Sequence, residues 1–151
     1  MFQPTVRRTF DIFEKPVADQ QFAELFVCDP YGCADGRNRQ CLVDFMELIV
    51  RAARYVSEIT VVSFDANSVD RYAVESSVHQ YDDLQQRWKR VMPSGPSLRH
   101  IQLSRRQSRS FHDRSVKARS MAGAEIIWDI SNGIDGVMMP GKECTVHVTL
   151  T

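Results

Sequence analysis

The most constraining feature of this sequence is the run Ile59-Thr60-Val61-Val62-Ser63-Phe64, set between two stretches of helical period. It is short, rich in β-branched residues and nearly all apolar, which suits a central strand covered on both faces. On its N-terminal side Cys41, Leu42, Phe45, Leu48, Ile49, Ala52, Ala53 and Val56 recur at three- and four-residue steps. A helix opening at Asn38 or an adjacent residue would bury that face and leave Asp44, Glu47, Arg51 and Arg54 outside. On its C-terminal side Val74, Val78, Tyr81, Leu84, Trp88 and Val91 form the stripe of a second helix, from roughly Tyr72 to Met92. Pro93-Ser94-Gly95-Pro96 stops it.

Further strands fit around this unit. Phe22–Cys28 precedes the first helix and is closed by Asp29-Pro30-Tyr31-Gly32. Leu98–Leu103, the polar Phe111–Arg119, Ala124–Ile130 and the alternating Cys144–Leu150 follow the second helix, with a loop marked by Asn132-Gly133 and Asp135-Gly136. The order predicts an α/β fold: a single domain, residues 22–151, with a mixed β-sheet flanked by helices. Pro4 and Pro16 argue against one continuous helix before it, so residues 1–21 are expected to form an N-terminal arm or a short edge element.

Charge and composition narrow the function classes. The 19 basic and 19 acidic side chains cancel, so net charge alone points to neither nucleic acid nor membrane. No apolar run reaches bilayer-spanning length, and the first residues hold no signal-like apolar core, so a cytoplasmic protein without a transmembrane segment is expected. Cys28, Cys33, Cys41 and Cys144 form no CxxC pair and read as reduced thiols. No His, Cys, Asp or Glu group has metal-ligand spacing, and there is no Gly-rich phosphate loop, so neither metal nor cofactor is expected.

The basic residues are unevenly placed. Arg99, Arg105, Arg106, Arg109, Arg114, Lys117 and Arg119 crowd one stretch in which Asp113 is the only acid. Such a patch favours phosphates on lipids or nucleic acid, and guanidinium forks match phosphate oxygens. A solvated edge strand protected from aggregation would look similar. Within the patch, an extended chain would put His112 and Arg114 on one side. The imidazole could attack phosphorus or donate a proton while Arg114 holds the oxygens. Asp29 and Tyr31 follow the first strand, where open α/β sheets hold ligands, although a simple turn needs the same residues. Arg37 and Arg39, before the first helix, are either phosphate contacts or solvated arginines. His79 reads as structural, whereas His100 and His147 alternate along strands and look solvent-facing.

Five pieces, in order, carry a resemblance: Asp29-Pro30-Tyr31, the helix around Asn38 to Ile49, Phe111-His112-Asp113-Arg114, Asn132-Gly133-Ile134-Asp135 and Cys144-Thr145-Val146. From Phe22 to Leu150 the chain resembles the C-terminal, phospholipase D-like domain of MIT-domain proteins. The MIT helical bundle itself has no counterpart in residues 1–21, so its binding role is not carried over. The resemblance implies a homodimer and a pocket built around His112. It implies that Asn132 and Asp135 belong to that pocket, although Asp135 also suits a turn. Active relatives use His-x-Lys followed by an Asp. Here Arg114 stands in place of the Lys and Arg119 in place of the Asp, which adds phosphate affinity and removes a carboxylate that hydrolysis needs.

The resulting expectation is a non-catalytic phosphate-recognition domain binding anionic phospholipid head groups as a peripheral protein at a membrane surface. Its phosphate contacts are expected from His112, Arg114, Lys117, Arg119, Arg105, Arg106 and Arg109, with Asp29, Tyr31, Asn132 and Asp135 in the pocket. Two alternatives stand beside it. One is a dimeric phosphodiesterase or nuclease with His112 as its catalytic residue, for which nucleic acid is a possible substrate. The other is a protein-interaction subunit with a vestigial pocket.

Overall fold

The computed structural model describes residues 4–69, 75–104, 114–139 and 144–151. Its elements run α1 (Pro4–Val17), β1 (Gln21–Cys28), α2 (Gly36–Ala52), β2 (Tyr55–Phe64), α3 (Ala66–Val69), α4 (Ser77–Val91), β3 (Ser97–Leu103), β4 (Ser115–Ser120), β5 (Glu125–Ile130), α5 (Ile134–Met138) and β6 (Val146–Leu150). One six-stranded sheet has the order β3-β2-β1-β4-β5-β6. The first three strands are parallel, and β4 to β6 continue antiparallel from β1. The expected α/β class with a mixed sheet and flanking helices is therefore present.

The strand order explains where the helices lie. The chain steps from β1 to β2 to β3 in one direction, so two crossovers of the same hand put α2 and α4 on the same face. Leu42, Phe45, Met46 and Ile49 of α2 and Leu84 and Trp88 of α4 share one core with Leu25, Val27, Ile59, Val61, Val116, Ala118 and Trp128 of the sheet. Ile59–Phe64 is buried at every position, as its composition requires of a central strand.

Local chemistry sets the helix starts. Asp35 opens α2 by accepting the Asn38 N–H at 2.8 Å, and Ser76 opens α4 by accepting the His79 N–H at 3.0 Å. The second helix thus begins later than its apolar stripe suggested. Val78, placed in that stripe, is 70% exposed, and among the described residues of the stripe only Leu84 and Trp88 are deeply buried. The Asn132-to-Gly136 loop is also partly helical, because α5 begins at Ile134.

The N-terminal segment is not an arm. It is a helix docked on the sheet, with Phe13 and Val17 fully buried. Phe13 meets the Phe45 ring edge-on at 4.9 Å and the Trp128 ring at 5.6 Å. Both prolines fit this helix. Pro4 occupies its first residue, where no N–H is needed. Pro16 lies in the last turn and deprives the Ile12 carbonyl of its usual donor. Trp128 Nε1–H supplies the replacement at 2.8 Å.

Candidate functional site

The carboxyl ends of β1, β2 and β3 form one rim of the sheet. The N-termini of β4 and β6 and the C-terminus of β5 reach the same rim, because β4 runs antiparallel to β1 and each later strand reverses again. Four predicted pocket residues, Asp29, Tyr31, Asn132 and Asp135, are collected there with Arg114.

Asp29 is the anchor. Its side chain is buried, with Oδ1 accepting the Tyr31 N–H at 3.2 Å and Oδ2 accepting the Ile134 N–H at 2.8 Å. One carboxylate thereby ties the loop after β1 to the start of α5, across 105 residues of sequence. Burial raises its pKa, and the nearby Asp135 charge adds to the rise. The two backbone donors and the Arg114 cation act in the opposite direction. Gly133 lies between the two carboxylates. A Cβ there would come within 2.8 Å of Asp135 Oδ1 and 3.0 Å of Asp29 Oδ2, so no larger residue fits without moving one of them. Gly133 and the Ile134 amide are the parts of this cluster that residue chemistry did not single out. The Asn-Gly pair signalled a turn, but nothing local signalled its partner.

Arg114 lies just before β4, and its carbonyl accepts the Ile130 N–H at 2.8 Å, so the ladder to β5 fixes its backbone. Its guanidinium carbon lies 5.7 Å from the centre of the Tyr31 ring. Tyr31 is itself held edge-on against Phe64 at 5.9 Å. Arg114 Nε is buried and has no hydrogen-bond partner among the described residues. A guanidinium fixed by an aromatic ring, with a donor left over, is a ready anion contact.

The remaining predicted contacts divide. Lys117 and Arg119 alternate with the buried Val116 and Ala118, so they project from the opposite face of β4. There they line a shallow groove with Glu24, Phe26 and Glu125, and Lys117 Nζ pairs with Glu125 at 3.4 Å. They do not join Arg114 in one site, which corrects the single phosphate patch expected from sequence. His112, Arg105, Arg106 and Arg109 lie outside the described residues.

Two other assignments change. Arg39 is neither a phosphate contact nor a solvated arginine. It is buried, bonded to Asp83 at 2.6 Å, to Glu75 at 2.7 Å and to the Cys33 carbonyl at 3.0 Å, and so clamps α2 to α4. His100 does not face solvent. It is buried, its Nε2 lies 2.8 Å from Ser63 Oγ, and Tyr81 stacks parallel on its ring at 5.8 Å. Burial, with help from the Arg39 charge, lowers its pKa to about 4. Cys33, close by, is pushed up to about 12 by burial and is an inert thiol. His147 is exposed, as expected.

Among the described residues, no group of three or more His, Cys, Asp or Glu side chains could hold a metal ion, and no helix is long and apolar enough to cross a membrane. No protein family matches the chain, and no curated protein matches it either.

Proposed function

We propose that the chain is a non-catalytic, phospholipase D-like phosphate-recognition domain that works as a peripheral protein on cytoplasmic membrane surfaces. Its Arg114 takes the phosphate of an anionic phospholipid head group at the carboxyl-end rim. The observation that carries this reading is the Arg114 guanidinium itself, seated on Tyr31 with a buried Nε that no described residue uses. An unmatched buried donor is costly, and an oxyanion is the acceptor that removes the cost. The basic stretch that flanks Arg114 in sequence adds long-range attraction for the same charge. Arg119, on the other face of β4, takes no part in holding that phosphate, but it stands where a hydrolase of this type needs a carboxylate, which argues against cleavage.

Co-sedimentation with vesicles provides the test. The chain is expected to pellet at low salt with phosphatidylcholine vesicles containing a phosphoinositide and not with phosphatidylcholine alone. Arg114→Gln removes the charge-assisted contact, worth about 1.5–3 kcal/mol, and should weaken binding at least tenfold. No pelleting with any anionic vesicle at low salt overturns the reading. Cleavage of a phosphodiester that His112→Ala abolishes would replace it with the hydrolase.

A further inference from the structure

We infer that β6 is a dimerisation strand whose occupant is β6 of a second copy, paired antiparallel about a twofold axis through Val148. Glu125 and Thr151 exchange both backbone bonds, at 2.9 and 3.2 Å, and Ser131 donates to the Thr145 carbonyl. In an antiparallel ladder the bonded pairs alternate, so Thr145, His147, Thr149 and Thr151 turn their backbone groups towards β5. The N–H and C=O groups of Val146, Val148 and Leu150 therefore point away from the sheet, and no described residue bonds them.

An edge of this kind is normally blunted by charge, by proline or by a covering element. The β6 sequence Val-His-Val-Thr-Leu has no Lys, Arg, Asp, Glu or Pro. It is instead self-complementary. A twofold axis at Val148 sets Val148 against its own copy and Val146 against Leu150, and each of these pairs can exchange two backbone bonds. The same register puts His147 opposite Thr149, so no like charges meet. Val146, Val148 and Leu150 share the helix-bearing face, because their cross-strand neighbours Ile130, Trp128 and Ile126 are core residues. Leu150 is 69% exposed in the single chain and would gain an apolar neighbour from the partner.

The opposite edge of the sheet points to a second copy as the occupant, and to pairing that stops at two. The Leu98 carbonyl of β3 already accepts Gln85 Nε2 from α4 at 2.8 Å, and β3 exposes Arg99. The exposed Arg99 disfavours pairing at that edge, and an isologous contact through β6 occupies the same edge in both copies and so closes on itself. This inference does not depend on the phosphate reading.

Sedimentation equilibrium of the whole chain tests it, combined with amide hydrogen exchange at several concentrations. The expected result is a dimer at tens to hundreds of micromolar, with exchange at Val146, Val148 and Leu150 slowing as concentration rises. Leu150→Lys, at an exposed position, and Leu150→Pro, which removes an outward N–H and no bond to β5, should each raise the dimer Kd at least tenfold. Far-UV circular dichroism identifies which variants remain folded, and the lysine variant carries the test if the proline variant does not. A chain that stays monomeric throughout overturns the inference. So does a dimer whose exchange at the three amides ignores concentration, or one that folded variants leave unchanged.

Discussion

A neutral histidine in a core makes stability depend on acidity, and His100 is placed to do so. Its folded pKa of about 4 lies below its ordinary value of 6.5. Between those values the unfolded chain binds a proton that the folded chain refuses, so stability falls as pH drops through that window and levels off, for this group, below about pH 4. The full effect is about 3 kcal/mol. Urea unfolding at pH 7, 5.5 and 4 measures it. The stability difference between the wild-type chain and His100→Gln should shrink or reverse towards pH 4. A difference that does not vary with pH would show that His100 titrates normally. This burial was not legible in the residues around His100, because alternation along a strand does not say which face is covered. That depends on how α4 packs back on the sheet and lays Tyr81 over the ring.

At the scale of elements, the clearest case is the joint between α1 and β5. Trp128→Phe keeps most of the ring packing against Phe13 but leaves the Ile12 carbonyl without its indole donor. A loss of about 1–3 kcal/mol is expected in urea unfolding, with little change in far-UV circular dichroism. If the variant were as stable as the wild type, water would be satisfying the carbonyl, and the joint would contribute only packing. The same joint shows why α1 was misread. Proline is a reliable helix breaker only in a helix interior, and here one proline opens the helix while the other lies in its last turn. The partner that makes Pro16 tolerable is more than a hundred residues away. By contrast, α2 and β2 were legible because their periods are local properties. The limits of α4 were not, because the apolar stripe ran past its true cap at Ser76.

For the molecule as a whole, class and strand sequence could be read from the order of elements, whereas the side of the sheet that carries the site could not be read from charge. The basic stretch looked like one patch. A strand has a period of two, so Arg114 sits at the rim while Lys117 and Arg119 leave from the other face. That division follows from the strand itself and could have been read once β4 was assigned. The clustering of Asp29, Gly133, Asp135 and Arg114 is different, because it requires knowing that β1, β4 and β5 are neighbours. Pairing antiparallel through β6 also turns the two rims in opposite directions. A dimer that binds vesicles at both rims should cluster them, giving a rise in light scattering that Leu150→Lys abolishes while leaving single-vesicle binding in place.

The bond from Gln85 to the Leu98 carbonyl acts on assembly as a chain stopper acts on a polymer. A sheet with two open edges is a bifunctional unit and grows by steps without limit. A sheet with one open edge is monofunctional, and its growth terminates after a single coupling. In the dimer proposed above, Arg99 and the Gln85 bond to one β3 carbonyl would be the end-group chemistry that sets this functionality. Replacing both, as Gln85→Ala with Arg99→Thr, should turn a self-limiting chain into one that extends into filaments, visible as thioflavin fluorescence and sedimenting fibres where the wild-type chain remains clear.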